Sequence, residues 1–121
     1  MFCYIHIPFC ESKCKYCRFA SFGKIDKLKI KSYIQKLKED IASFSLKSEK
    51  LKSIYFGGGT PSILDISELK DIINSLDNKF GLEQNIEITL ETTPQNVNKD
   101  NLIGWKSIGI NRISIGIQTL N

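Results

Sequence analysis

The chain has 121 residues, 41% of them hydrophobic and 25% charged, which is ordinary for a globular domain with one core and too short for two. The net charge is +4, but only Arg18 and Arg112 of the 17 basic residues are arginine, whereas specific phosphate readout favours arginine forks. The lysines are spread over helical segments as solvated faces, so nucleic acid is not indicated as a partner, and no stretch has the length of a membrane span.

Phe2 to Pro8 is short, rich in apolar residues and closed by proline, as a strand running into a loop would be. The loop carries Cys10, Cys14 and Cys17. From Asp26 to about Phe44, Ile30, Tyr33, Ile34, Leu37, Ile41 and Phe44 recur at helical spacing. Lys52 to Phe56 reads as a second strand, entering Gly57-Gly58-Gly59-Thr60-Pro61-Ser62. Ser67 is the expected N-cap of a helix striped by Leu69, Ile72, Ile73, Leu76 and Phe80 and stopped at Gly81. Asn85 to Glu91 alternates as a third strand, and Thr92 to Val97 is a loop broken by Pro94. Asn98 caps a short helix through Leu102 and Trp105 that stops near Gly109. Arg112 to Ile117 alternates isoleucines with small residues as a fourth strand. Strands alternating with helices predict an α/β fold with a parallel sheet and outer helices. Four such strands make an open sheet and do not close a barrel alone.

The three loop cysteines stand at C-x3-C-x2-C. Thiolate is the ligand that soft metal centres select, and three thiolates on one loop can hold three corners of a [4Fe-4S] cube with one iron left open. A structural zinc site wants four ligands, usually from two C-x2-C pairs, and no second pair follows. His6 is a fourth ligand in principle, but its alternating run suits a packed or hydrogen-bonded histidine better. Cys3 reads as a small buried apolar residue. No feature points to disulfides. The N-terminus runs straight into the first strand without a basic region or cleavage site, so the cytoplasm is the expected location.

The other candidate site residues share a position. In parallel barrels, functional residues collect at the C-terminal ends of strands. The cysteine loop follows the first strand and the glycine run the second. Glu91 ends the third strand and Gln118 the fourth. Three glycines let backbone approach a ligand closely, and their N–H and C=O groups can bind an ammonium or a carboxylate. By itself such a run is often only a tight turn. Glu91 can accept hydrogen bonds from a ribose or an ammonium, or be a solvated carboxylate; Gln118 can equally be a loop residue.

Taken together, Tyr4 through Phe19, Tyr-Phe-Gly-Gly-Gly-Thr-Pro-Ser (55–62), Glu-Ile-Thr-Leu-Glu (87–91) and Gly-Ile-Asn-Arg-Ile-Ser-Ile-Gly-Ile-Gln (109–118) resemble the oxygen-independent coproporphyrinogen III oxidase-like family of radical S-adenosylmethionine (SAM) proteins. The resemblance implies that residues 1–121 are the N-terminal (β/α) units of a radical SAM partial TIM barrel, in proteins that continue into the rest of the barrel and a C-terminal domain. It implies a [4Fe-4S] cluster on Cys10, Cys14 and Cys17, with SAM at the open iron. Tyr4, Tyr16, Gly57, Gly58, Gly59, Thr60, Glu91 and Gln118 match SAM-site positions. By resemblance, an electron from the cluster cleaves SAM to methionine and a 5′-deoxyadenosyl radical.

Within the family, the porphyrinogen dehydrogenase carries a further cysteine two residues after the third cluster cysteine. Here that position is Phe19, so the chain is more similar to the heme chaperone branch. That branch implies heme or porphyrin as ligand, transfer to heme-acceptor proteins, and an electron donor protein. The chain departs from the branch's usual pattern at Arg18, where an acid is common, and at Thr92-Thr93-Pro94, where an asparagine commonly precedes the proline. Two other readings stand beside it: oxidative decarboxylation of coproporphyrinogen III, and a small metal-stabilised α/β binding module without radical chemistry. Residues 1–121 alone are expected to self-associate through the fourth strand's apolar edge.

Overall fold

The computed structural model describes residues 1–9, 27–45 and 49–116. Strand β1 (Phe2–Ile7) is followed by helix α1 (Lys27–Ser43), β2 (Leu51–Gly58), α2 (Ile66–Phe80), β3 (Leu82–Thr92), α3 (Lys99–Ser107) and β4 (Arg112–Ile115). The four strands form one sheet in the order β1-β2-β3-β4, and every neighbouring pair is parallel. Each crossover carries a helix, and crossovers of one hand between successive neighbours set the helices on one side of the sheet. The expected parallel sheet with outer helices is the observed architecture.

The core is where the two hydrophobic periods meet. Strand residues Ile5, Ile7, Ile54, Phe56, Ile88 and Leu90 pack with Ile30, Ile34 and Ile41 of α1, Leu69, Ile72, Ile73 and Leu76 of α2, and Trp105 of α3 in one buried cluster. Alternate strand positions turn away from the helices, as the two-residue period of a strand requires. They carry Phe2, Tyr4 and His6 on β1, Tyr55 and Gly57 on β2, Glu87, Thr89 and Glu91 on β3, and Arg112 and Ser114 on β4. No helix among the described residues is long and apolar enough to cross a membrane.

Several element ends differ from expectation. Helix α2 starts at Ile66 with Asp65 as N-cap, so Ser67 lies inside its first turn. Glu68 decides this: its carboxylate accepts the Asp65 N–H at 2.8 Å, the return arm of a capping box. Strand β3 begins at Leu82, directly after the Gly81 stop, whose N–H reaches the Asp77 carbonyl at 2.8 Å. Strand β4 ends at Ile115, short of the expected Ile117, which lies outside the described residues. The Asn98 cap of α3 is present and accepts the Asn101 N–H at 2.8 Å. Helix α3 closes on α2 at Gly104, where an added Cβ would lie 2.0 Å from the Ile66 Cδ1.

Candidate functional site

The Cys10, Cys14 and Cys17 motif, with Tyr16, lies outside the described residues, as does Gln118. The other sequence-predicted residues, Tyr4, Gly57, Gly58, Gly59, Thr60 and Glu91, stand near the C-terminal ends of β1, β2 and β3. The strand register brings them together. Tyr4 is the cross-strand partner of Tyr55, and His6 that of Gly57. Tyr55 in turn pairs with Thr89, two residues before Glu91, so Tyr4, His6, Tyr55 and Glu91 are on the face turned away from α1, α2 and α3.

Contacts on that face run in sequence. The Tyr4 hydroxyl and the His6 Nδ1 are 3.3 Å apart. The Tyr4 and Tyr55 rings stack, with centroids 5.9 Å apart and planes at 17°. The Tyr55 hydroxyl donates to Glu91 Oε2 at 2.7 Å, and the Gly58 N–H donates to Glu91 Oε1 at 3.2 Å. Glu91 is therefore not a free solvated carboxylate. It is half-buried and ties the end of β3 to β2. Each of its oxygens has a second lone pair for a further donor. The hydrogen bond to Glu91 pushes the Tyr55 phenol above its ordinary value, with burial and the Glu91 charge acting in the same direction and Ser114 and Arg112 opposing.

The glycines serve close approach in two different ways. A Cβ on Gly57 would lie 2.8 Å from both Cε1 and Oη of Tyr4, so the missing side chain makes the slot in which the Tyr4 ring lies. Gly58 has φ +118°, and a Cβ there would meet the Ile7 carbonyl oxygen at 2.7 Å and the His6 ring at 2.9 Å. The donors of the run are already used. Besides the Gly58 N–H on Glu91, the Gly59 N–H reaches the Ile7 carbonyl at 2.8 Å and the Thr60 N–H the Phe9 carbonyl at 2.7 Å. A run whose N–H groups are spent is suited to accept from an ammonium, not to donate to a carboxylate. That removes one of the two ligand types the glycines alone allowed.

Behind the site, the second and third strand-to-helix connections are joined by a polar cluster. Thr92 Oγ1 and Asn96 Nδ2 both donate to Ser62 Oγ at 2.8 Å, and Asn101 Nδ2 donates to the Asn96 carbonyl at 2.8 Å. The Tyr33 hydroxyl of α1 donates to the His6 carbonyl, fixing the end of β1. Cys3 is half-buried on β1, away from this face, and burial pushes its thiol up. Among the described residues no group of three or more His, Cys, Asp or Glu side chains is placed to hold a metal ion.

The sequence assigns neither Tyr55 nor His6 to the SAM site, and offers His6 only as a metal ligand in principle. The signal for both is the strand period: Tyr4 and His6 are two apart, as are Tyr55 and Gly57. Once Tyr4 and Gly57 are assigned to a site, the period places His6 and Tyr55 on the same face.

Comparison with known proteins agrees on one family. The radical SAM superfamily model matches residues 4–121. A heme chaperone HemW from Haemophilus influenzae is 40% identical over 124 residues, covering 98% of this chain and 32% of that protein. A heme chaperone HemW from Buchnera aphidicola subsp. Acyrthosiphon pisum is 39% identical over 120 residues, with coverages of 98% and 32%. An oxygen-independent coproporphyrinogen III oxidase from Synechocystis is 31% identical over 121 residues, covering 98% of this chain and 26% of that protein. A solved structure of coproporphyrinogen III oxidase (HemN) from Escherichia coli, described as a radical SAM enzyme, matches with a TM-score of 0.84 at 28% identity, covering 98% of this chain and 28% of that one. The chain thus spans about a third of the length of the two chaperone relatives.

Proposed function

The chain belongs to the radical SAM superfamily, and on that footing we propose that it binds a [4Fe-4S] cluster through Cys10, Cys14 and Cys17 and SAM beside it. The reading of the whole is heme binding and transfer to acceptor proteins, with residues 1–121 as the N-terminal part of a radical SAM core domain. The observation that supports the SAM site is the convergence of Tyr4, Gly57 and Glu91 on one face at the strand ends, with Tyr55 and the Gly58 N–H both donating to Glu91. The donor set fits SAM. Glu91 keeps lone pairs for ribose hydroxyls or the ammonium, and the spent N–H groups of Gly58, Gly59 and Thr60 leave the run as an acceptor. Tyr4, 58% exposed beside Gly57, offers an aromatic flank. Tyr16, Thr60 and Gln118 are assigned to the same site by their place in the motifs.

The cluster and SAM supply one-electron chemistry when bound. The chain's own residues bind, orient and shield. Tyr33 and the Gly59 and Thr60 N–H groups hold the exit of β1, from which the cysteine loop departs. An electron donor protein is the implied partner of the cluster, and heme or a porphyrin the implied ligand of the whole protein.

Two features favour heme transfer over coproporphyrinogen decarboxylation. Phe19 stands where the dehydrogenase has a further cysteine, and the chaperone-named relatives are 39% and 40% identical against 31% for the oxidase. Anaerobic reconstitution tests the site. It should give a four-iron cluster whose absorption and electron paramagnetic resonance change on adding SAM, lost when Cys10, Cys14 or Cys17 is replaced by alanine and kept in Cys3→Ser. Iron retained after loss of any of the three would sink the ligand assignment. Heme titration and transfer to an apo-acceptor, run beside a coproporphyrinogen decarboxylation assay, decide between the two activities.

A further inference from the structure

We propose that Tyr55 is the positioning residue of the SAM site, setting Tyr4 with its ring and Glu91 with its hydroxyl. The inference rests on the SAM-site reading above and adds a residue that touches both sides of that site. Tyr55 lies between the two in the register, since it pairs with Tyr4 on one side and with Thr89, two residues before Glu91, on the other.

Each half of the side chain has its own task. The ring is stacked on Tyr4 at 17° and 5.9 Å, and the Tyr4 ring lies over Gly57, where a Cβ would come within 3.0 Å of the Tyr55 Cε1 as well. Tyr4 is more than half exposed, and among the described residues the stack on Tyr55 and the His6 contact are what orient its ring. The hydroxyl gives a 2.7 Å bond to Glu91 Oε2, while Gly58 N–H holds Oε1. Two fixed donors, one per oxygen, set the plane of the carboxylate and so the direction of its remaining lone pairs. Removal of the hydroxyl leaves one donor and a carboxylate free to turn about it. The raised Tyr55 pKa agrees with a phenol that stays protonated as donor throughout the neutral range.

The two tasks separate by substitution. Tyr55→Phe keeps the stack and loses the bond; Tyr55→Leu loses both. The measurement is SAM affinity by anaerobic calorimetry on the reconstituted protein, with thermal unfolding of each variant alongside. A hydrogen bond to a charged group corresponds to a factor of about ten at the low end of its range. Tyr55→Phe should therefore weaken SAM about tenfold while lowering Tm only by what the lost bond contributes to the fold, and Tyr55→Leu should weaken SAM further. In a Glu91→Ala background the Phe substitution should have no additional effect, because the hydroxyl then has no carboxylate to set. Full additivity of the two substitutions, or a wild-type affinity in Tyr55→Phe, overturns the positioning role while leaving the SAM site standing. If wild-type protein with an intact cluster fails to bind SAM, or Glu91→Ala binds it as well as wild type does, the SAM-site reading itself falls and the positioning role falls with it.

Discussion

The two faces of the sheet are built from alternate residues of the same four strands, yet they obey different rules. The helix-covered face is isoleucine, leucine and phenylalanine, with Ile7, Ile54, Phe56 and Leu90 fully buried. The face turned away from α1, α2 and α3 is aromatic and polar, and its members are joined by directed contacts: a stack, a bond to a carboxylate, and an N–H donated by a glycine with positive φ. The first face pays for the fold through apolar burial, which has no direction. The second contributes geometry. Substitutions on the two faces should therefore separate stability from ligand affinity, even between residues adjacent in sequence.

The largest expected effect is on the covered face. Phe56→Ala should lower unfolding stability by about 3–5 kcal/mol, the range for removing a large buried aromatic side chain. Its cross-strand neighbourhood on the other face should respond in the opposite way. Tyr4→Ala should cost less than about 1 kcal/mol, since the ring is more than half exposed, while weakening SAM. Urea unfolding and SAM calorimetry on both variants check the pair. Equal stability losses would erase the distinction between the faces.

Adjacent glycines sharpen the same contrast. Gly58→Ala puts a Cβ against the Ile7 backbone carbonyl at φ +118° and should cost about 1–3 kcal/mol. A Gly58 variant therefore cannot report ligand binding separately from strain. The nearest atoms to a Cβ in Gly57→Ala are the ends of the Tyr4 and Tyr55 rings, at 2.8 and 3.0 Å. The Tyr4 ring can swing into solvent, so stability should change less than in Gly58→Ala while the stack, and with it SAM affinity, is lost. Thermal unfolding ranks the two, and a larger drop for Gly57→Ala would place the strain at the wrong glycine.

Much of this was legible in the sequence because the two faces have a period. Alternation in β1, β2 and β3 and the helical stripes of α1 and α2 announced a parallel α/β sheet, and the glycine run and Glu91 were placed at strand ends before any contact was known. What was not legible depends on register. Tyr55 meets Glu91 across 36 residues, and Asn111 bridges β3 by accepting the Ile88 N–H and donating to the Ile86 carbonyl. Neither pair has a local signature. The expectation that the glycine N–H groups were available failed for the same reason, since their partners, Ile7, Phe9 and Glu91, come from other strands or their exits. The α2 cap went to Asp65 because Ser67 has no glutamate three residues on, whereas Asp65 has Glu68.

A smaller effect tests the Tyr55–Glu91 bond through stability alone. The folded state holds the Tyr55 proton more tightly than the unfolded chain does, because the phenol donates to Glu91. The stabilisation is thus fully present below the ordinary tyrosine value of about 10 and is lost as pH rises through the raised folded value. Wild type should lose stability on the alkaline side more steeply than Tyr55→Phe. The difference between the two proteins isolates this phenol from Tyr33, whose pKa is also raised, chiefly by burial. Parallel curves for the two proteins would show that the bond is not kept in solution.

The smallest expected effect concerns the ion pair between β3 and β4 on the face turned away from the described helices. Arg112 Nη1 lies 3.3 Å from Glu87 Oε1, and the side chains are 60% and 56% exposed. Two long side chains held in one geometry in water gain little, and exposed pairs couple by about 0.2–1 kcal/mol. A double-mutant cycle with Glu87→Gln and Arg112→Gln should fall in that range. It should shrink toward zero in about 1 M salt, where the screening length is roughly 3 Å. The value discriminates because the pair lies on the same face as Tyr4, Tyr55 and Glu91. A coupling well above 1 kcal/mol that survives salt would mean that water is excluded from this face in solution. The two faces would then differ in what covers them and not in whether they are covered, and the low stability cost expected for Tyr4→Ala would have to be abandoned along with the contrast it tests.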